Sequence, residues 1–134
     1  MIESGTFIDG IHVPAHTRPG AKRGDKPVPV PARTFLAFTL REDRFGDTLE
    51  VANNPLTSAK AADSEAYYRA ALFAQRLTIE GLDTVTPEMV VELSGADGEI
   101  LMDAAGRIAR RRQEFRNAAQ AAEKKAGSAA KAGD

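Results

Sequence analysis

The sequence predicts an α+β fold, in which a small antiparallel sheet or hairpins in the N-terminal half pack against about three helices in the C-terminal half. Before residue 42 apolar side chains recur at every second position, which is the period of a half-buried strand. After residue 64 they recur every three or four positions, which is the period of a helix. The composition of the two flanks adds a Pro-rich extended segment and a mobile Ala/Lys-rich tail to this expectation.

The length of 134 residues allows one modest domain with flanking segments. We divide the chain into a hairpin and Pro-rich extended segment at 1–33, a single α+β domain at 34–116, and a frayed or disordered tail at 117–134. The sequence contains no cysteine, which excludes disulfides and Cys-ligated metals. It has neither a signal-peptide pattern at its start nor an apolar run of roughly 20 residues, so no membrane association is expected.

The N-terminal half is expected to form strands and loops. The Asp-Gly pair at 9–10 stands between two short apolar runs and predicts a two-residue hairpin, since both turn residues need a positive φ. Alternation through Leu36, Phe38 and Leu40 predicts a strand on the core. Residues 48–51 fit either a short return strand or an irregular loop.

Three helices are predicted in the second half, near residues 64–80, 87–94 and 97–116. The first can begin at Asp63 or Ser64 as the N-cap, and we expect its Leu72 and Phe73 to supply the core. Gly81 follows this helix and can adopt the left-handed conformation that commonly ends one.

The other two helices have clear starts. The Thr-Pro-Glu sequence at 86–88 combines an N-cap hydroxyl, a proline at the first helical position and a carboxylate near the positive end of the helix dipole. Asp97 can open the third helix, whose apolar stripe is expected to run from Leu101 to Phe115. Beyond Asn117 the apolar face is reduced to alanine, which favours a helix but does not anchor one, so fraying is expected.

The charge distribution and the motifs point away from an enzyme. The net charge is +3 over residues 1–41, −9 over 42–103 and +5 over 104–134. The acidic middle segment contains no calcium-loop motif, and the sequence has no nucleophile elbow and no Gly-rich phosphate loop. A proline separates His12 from His16 and prevents the helix that a metal-binding pair at this spacing would need. We therefore expect no catalytic site, no cofactor and no metal ion.

One basic cluster is a candidate partner-binding site. On a helix these residues would form a ridge of guanidinium groups, which we call the Arg ridge: Arg107, Arg110, Arg111, Arg112 and Arg116. Such a ridge can bind an acidic protein surface or phosphates, and it can also be a solvated helix end favoured by the dipole. Because no aromatic side chain is interleaved with the run of arginines at 107–112, a nucleic acid is the less favoured partner.

A series of motifs runs in order through residues 34–115. It consists of a strand ending in Leu-Arg, an apolar helix followed by a Gly turn, a Thr-Pro-Glu helix start ending in Glu-Leu, and an Asp-led helix. The matching segments are residues 38–42, 70–77, 81–82, 85–93, 96–97 and 100–101. In this order the motifs resemble those of the tail assembly chaperones of Mu-like and related long-tailed bacteriophages.

The resemblance implies a protein without enzymatic activity that binds the tape-measure protein, a long and aggregation-prone helical chain, and assists tail-tube assembly. The implied partners are the tape-measure protein, tail-tube subunits and a frameshift-extended form of the chain itself. The implied location is the bacterial host cytoplasm, with the protein absent from the mature virion. Two alternatives stay open: a structural tail or head-completion component retained in the virion, and a small nucleic-acid-binding regulator that uses the Arg ridge.

Overall fold

The computed structural model describes the backbone of residues 1–132 and the side chains of residues 1–127. Its elements, in chain order, are β1 (Ile2–Val13), β2 (His16–Arg18), β3 (Val28–Val30), β4 (Arg33–Arg41), α1 (Phe45–Asn53), α2 (Pro55–Asp63), α3 (Glu65–Arg76), β5 (Leu77–Ile79), α4 (Pro87–Val91) and α5 (Gly95–Ala132). Strands dominate the N-terminal half and helices the C-terminal half, so the predicted α+β class is confirmed.

The main sheet has three strands in the order β1, β4, β5, and both neighbouring pairs are antiparallel. The predicted strand at 36–40 is therefore the central strand. Its buried side chains are Phe35, Phe38 and Leu40, whereas Leu36 is 41% exposed, contrary to the simple alternation expected. Within the Pro-rich segment, β2 and β3 form a separate two-stranded ladder where only an extended loop was expected.

The hairpin predicted at residues 9–10 is wrong, because these residues lie inside the continuous strand β1. Residues 2–6 pair with 37–41 and residues 11–13 pair with 33–35, so residues 7–10 stand opposite Leu36 alone. Only Gly10 has a positive φ here, at 80°, whereas the type I′ hairpin turn that an Asp-Gly pair favours needs positive values at both positions. The Asp-Gly pair therefore forms a bulge instead of a chain reversal.

Asp97, in the first turn of α5, binds this bulge. Its carboxylate accepts hydrogen bonds from the backbone N–H groups of Ile8, Asp9 and Gly10, at N···O distances of 2.6, 3.1 and 2.8 Å. The Asp97 residue is 0% exposed. Burial alone would raise the pKa of the Asp97 carboxyl, but these three amides and the Ser94 hydroxyl together hold that pKa below its usual value. An ionised carboxylate thus supplies acceptors for donors that the interrupted ladder leaves unpaired.

The hydrophobic core lies between the sheet and α5. Its buried residues are Phe7, Ile11, Phe35, Phe38, Leu40, Leu77, Ile79, Leu101, Ala104 and Ile108. The rings of Phe7 and Phe38 stack with their centres 4.4 Å apart. Met89, Val90 and Leu93, in and just after α4, are partly buried against the same cluster. The segment 1–33 thus contributes two residues to the core of the segment that follows it.

The first predicted helix, at 64–80, is shorter in the structure. Ser64 is its N-cap, and α3 ends at Arg76. Residues 77–79 pair with β4 as β5, with Leu77 and Ile79 buried and Thr78 exposed. The positive φ of Gly81, 95°, therefore belongs to the turn after a strand and not to a helix end.

Leu72 and Phe73 were expected to supply the core, but neither is fully buried, and of the two only Phe73 packs against the core cluster. Both side chains are half-buried. The fully buried residues of α3 are small ones: Ala70, Ala71 and Ala74. Small side chains allow α1, α2 and α4 to pack closely on α3. Leu72 and Phe73 also line a groove between α1 and α3.

The return strand or loop considered for residues 48–51 is also wrong, because these residues belong to α1. Asp47 fixes the first turn of this helix by accepting a hydrogen bond from the Arg44 N–H at 2.9 Å. Val51, on the same helix, is 2% exposed. A buried carboxylate at the start and a buried valine one turn later favour a helix over a strand here.

The helix α2 was not predicted, although the sequence carries a signal for it. The Asn54 side chain accepts a hydrogen bond from the Thr57 N–H at 3.2 Å, and Pro55 occupies the first helical position. An Asn-Pro pair can end one segment and also begin a helix, and here it begins one.

The starts predicted for the last two helices are close to those observed. The Thr86 hydroxyl accepts a hydrogen bond from the Met89 N–H at 3.3 Å, as expected of an N-cap. Ser94 binds the Asp97 N–H at 3.2 Å, so α5 begins two residues before Asp97. Phe115 was expected on the buried stripe of this helix but is 71% exposed, which corrects that expectation.

The predicted tail, residues 117–134, is described as far as Ala132. These residues continue α5, and residues 117–127 are all exposed. Residues 133–134 lie outside the described residues. Mobility of this segment in the isolated protein stays a prediction, since a helix without buried side chains is held by propensity alone.

We predict that Asp97→Asn lowers the unfolding free energy by about 2–3 kcal/mol at neutral pH, because hydrogen bonds to an ionised carboxylate are the stronger ones. The ordinary pKa of an Asp side chain is about 3.9. In the folded chain the pKa of Asp97 is lower than this ordinary value. The stabilisation is therefore fully present above that ordinary value and is lost as the pH falls through the folded-state pKa.

Urea unfolding of both proteins between about pH 7 and pH 2 measures this dependence. The difference between wild type and Asp97→Asn should be constant above about pH 5 and shrink below about pH 4. Asp103→Asn, at an exposed position on the same helix, is the matched control. A difference that stays the same at every pH would contradict this role of the carboxylate.

Candidate partner-binding surface

The Arg ridge lies on α5, but its five residues have different environments. Arg107 Nε and Arg111 Nη2 lie 3.2 and 2.8 Å from Oε1 of Glu3. Arg111 also donates to the backbone carbonyl of Ile2 at 3.2 Å. Because positions 107 and 111 are one helical turn apart, both side chains reach the start of β1. These two arginines hold α5 against the sheet.

Arg112 makes a second set of contacts within the chain. Its Nη1 lies 2.5 Å from Oδ1 of Asp43, and its Nε lies 3.7 Å from Oε2 of Glu42. Both acids belong to the turn between β4 and α1. Three of the five arginines are therefore paired with acids of the same chain.

Arg110 and Arg116 are the remaining members of the ridge. Both are exposed, and neither forms an ion pair with another described residue. They belong to a longer exposed part of α5, residues 109–127, in which no residue is buried. We call this part the distal α5 surface.

The distal α5 surface continues the apolar stripe of the core. Phe115 follows Ile108 by seven residues and Leu101 by fourteen, so all three lie near one line along the helix. Ala118 and Ala122 follow on the same line. Leu101 and Ile108 are 3% and 1% exposed, whereas Phe115 is 71% exposed. An aromatic side chain followed by small ones is suited to close packing of a second helix.

A second charged cluster ties β4 to the helices. Arg41 Nη2 and Nη1 lie 2.5 and 3.0 Å from the two carboxylate oxygens of Asp47. Arg41 also donates to the Gln75 carbonyl at 2.9 Å, and Arg76 Nε donates to the Arg41 carbonyl at 3.0 Å. The hydrogen bonds from Arg41 hold the pKa of Asp47 below its usual range. This cluster fixes the end of β4 against α1 and α3.

The cavity between α1, α2, α3 and residues 84–88 has a volume of about 340 Å³. At its rim Glu88 Oε1 accepts hydrogen bonds from the Tyr67 hydroxyl at 2.9 Å and from Lys60 Nζ at 3.1 Å. These polar groups bind one another and join α2, α3 and α4.

The two histidines make local contacts. His16 Nδ1 lies 3.0 Å from the Pro14 carbonyl oxygen, and His12 Nδ1 lies 3.2 Å from the Thr34 hydroxyl. In the described part of the chain, no three His, Asp or Glu side chains come together as a metal site. Within residues 1–132, no helix is both long and apolar enough to cross a bilayer.

The acidic residues that pair with the Arg ridge were not predicted from the sequence. Glu3 pairs with arginines more than 100 positions away in the chain. Asp97 was expected only as a helix start, and its carboxylate was not expected to bind a strand 87 to 89 positions away. Both end segments have a positive net charge, so the charge pattern along the sequence did not indicate that Glu3 pairs with the Arg ridge.

Comparison of the chain with protein families, with curated proteins and with solved structures gives no match.

The division of the ridge predicts two different outcomes for two double variants. Arg107→Ser with Arg111→Ser removes both partners of Glu3, whereas Arg110→Ser with Arg116→Ser removes none. Both doubles carry the same loss of helix propensity. The first should therefore be less stable than the second by about 1 kcal/mol in low salt, as partly exposed ion pairs contribute little.

Thermal and urea unfolding of the two doubles, repeated in 1 M NaCl, provide the measurement. The difference should shrink in high salt because screening weakens ion pairs at the surface. Equal stability of the two doubles in low salt would mean that the Glu3 contacts do not hold α5.

Proposed function

We propose that this chain is a non-enzymatic tail assembly chaperone of a long-tailed bacteriophage. It binds the tape-measure protein and assists tail-tube assembly in the bacterial host cytoplasm, and it is absent from the mature virion. The proposal starts from the resemblance of residues 34–115 to that family, and the surface of the folded chain supplies its physical support.

The motifs that carry the resemblance occupy elements that pack together. Residues 38–42 include the end of β4, residues 70–77 include most of α3, and residues 85–93 include α4 with its N-cap. Residues 96–101 form the first turns of α5. The elements that carry these motifs thus pack around one connected core, as the elements of a single structural unit do.

The distal α5 surface is the observation that supports partner binding. A tape-measure protein is a long helical chain, and a helix pairs with another helix through a line of apolar and small residues. Phe115, Ala118 and Ala122 form such a line, and Phe115 is 71% exposed. Arg110 and Arg116 have no ion pair among the described residues and lie on other faces of the same part of α5, where they favour acidic residues on a partner that reaches around the helix.

The same distribution of arginines weakens the nucleic-acid alternative. Arg107, Arg111 and Arg112 are engaged by Glu3, Glu42 and Asp43, which leaves two ridge residues for phosphates. Phosphate neutralisation by several cations supplies most of the affinity of nonspecific binding, so two provide little. The second alternative, a structural component retained in the virion, has no such argument against it and is separated by experiment.

Tail-tube subunits and a frameshift-extended form of the chain are the further partners in this proposal. In the extended form, the distal part of α5 would join the folded domain to an additional segment. The coding sequence tests this directly, since frameshifting requires a slippery heptamer and an overlapping downstream frame.

We predict that the wild-type chain co-purifies with the product of a very long neighbouring tape-measure reading frame when the two are co-expressed. Phe115→Ser, and separately Arg110→Ser with Arg116→Ser, should each reduce recovery about tenfold, corresponding to about 1.4 kcal/mol. Met102→Ser is the matched control, since Met102 lies on the same helix outside the distal α5 surface and is 58% exposed.

Loss of recovery with Met102→Ser as large as with Phe115→Ser would exclude the distal α5 surface as the binding site. Absence of co-purification for the wild type would contradict the chaperone proposal. Detection of the chain by mass spectrometry in purified particles would favour a retained structural component. Retardation of DNA at near-physiological salt would favour a regulator.

A further inference from the structure

A small groove between α1 and α3 lies apart from the distal α5 surface. Its volume is about 180 Å³, below the roughly 300–1,000 Å³ typical of small-molecule sites. Half-buried Leu72 and Phe73 line it, together with charged residues of both helices. A groove of this size suits individual side chains of a partner better than a cofactor.

The guanidinium group of Arg76 is one of the charged groups that line this groove. Its Nε donates to the Arg41 carbonyl at 3.0 Å, and its central carbon lies 5.3 Å from the centre of the Phe73 ring. Neither terminal nitrogen has a hydrogen-bond acceptor among the described residues. Burial lowers the pKa of Arg76, even with Asp43 and Asp47 nearby. A carboxylate that binds here would form charge-assisted hydrogen bonds with the terminal nitrogens of the half-buried Arg76 guanidinium.

The acidic residues of the groove are already engaged by other arginines. The Asp47 carboxylate accepts hydrogen bonds from both terminal nitrogens of Arg41, and the Asp43 carboxylate accepts one from Arg112. In contrast, Arg44, which also lines the groove, has no ion pair among the described residues. The groove therefore presents unpaired positive charge within the most acidic segment of the chain.

An apolar strip lies beside the groove on α1. Phe45 and Leu49 are 77% and 47% exposed and lie one helical turn apart. Thr48, which lines the groove, lies between them in sequence. A partner segment can therefore contact apolar surface along α1 while one of its side chains enters the groove.

We propose that this groove binds a protein segment that places a carboxylate against Arg76 and an aliphatic side chain against Leu72 and Phe73. In a groove of about 180 Å³ a single residue can supply both groups, so the carboxylate is that of a chain terminus whose last residue is aliphatic. This site is separate from the distal α5 surface and does not depend on the proposed function.

The first test uses two small probes with the wild-type chain and NMR detection. N-acetyl-leucine carries an aliphatic side chain and a carboxylate, and N-acetyl-leucinamide carries the same side chain without the charge. We expect N-acetyl-leucine to shift the signals of Leu72, Phe73 and the Arg76 Nε–H saturably, with a Kd of roughly 1–10 mM. The amide should bind at least about tenfold more weakly, because it lacks the charge-assisted contact.

The second test uses variants of the groove. Arg76→Gln should abolish the shifts, whereas Arg69→Gln should leave the Kd within about twofold. Arg69 is the matched control because it lines the same groove on the same helix but pairs with Glu65 at 2.9 Å. Peptides ending in Glu-Leu, with either a free carboxylate or a terminal amide, then separate side-chain from terminal recognition.

Equal binding of the two small probes to the wild type would overturn the proposal, and so would shifts confined to other surfaces. This comparison needs no variant, so it decides the matter even where Arg76→Gln does not fold. Retention of binding by a folded Arg76→Gln would likewise exclude Arg76 as the carboxylate-binding group.

Discussion

The hydrogen bonds between Asp97 and the β1 bulge determine how the two ends of this fold meet. The bulge removes residues 7–10 from regular pairing with β4, and it leaves backbone donors that need acceptors inside the protein. One buried carboxylate at the start of α5 provides them. The same contact sets the position of α5 along the sheet, so that Leu101, Ala104 and Ile108 cover the core. The exposure of the distal α5 surface follows from this position, since the sheet ends before the helix does.

Ion pairs complete the attachment that the buried carboxylate begins. Arg107 and Arg111 bind Glu3, and Arg112 binds the turn before α1. The arginines nearest the core thus have a structural role, whereas Arg110 and Arg116 form no ion pair with another described residue. The acidic middle of the chain is divided in a similar way: the acids that line the α1–α3 groove are neutralised by arginines from elsewhere, whereas Arg76 is not. Net charge over a segment was therefore a poor guide to the charge of its individual surfaces.

The sequence was informative where the determining signal was local. The caps at Ser64 and Thr86 are made by hydroxyls that bind amides three residues later, so the sequence alone could place two helix starts. The Asp-Gly pair at 9–10 carried a local signal as well, but the choice between a turn and a bulge depended on a distant carboxylate. The Arg ridge was identified as a cluster, but its division was not, because Glu3 is brought to it only by the sheet. The α1–α3 groove depends on which acids pair with which arginines, and a sequence does not contain that information directly.

Hydrogen exchange of the backbone amides of Ile8 and Gly10 tests most directly whether Asp97 holds β1 to α5. If it does, these amides in the wild-type chain exchange only through global unfolding, with protection equal to that of the amides of β4. In Asp97→Asn the same two amides should exchange faster than β4, since local opening of the bulge no longer requires loss of the whole core. Rapid exchange of Ile8 and Gly10 in the wild type, while β4 stays protected, would contradict the account.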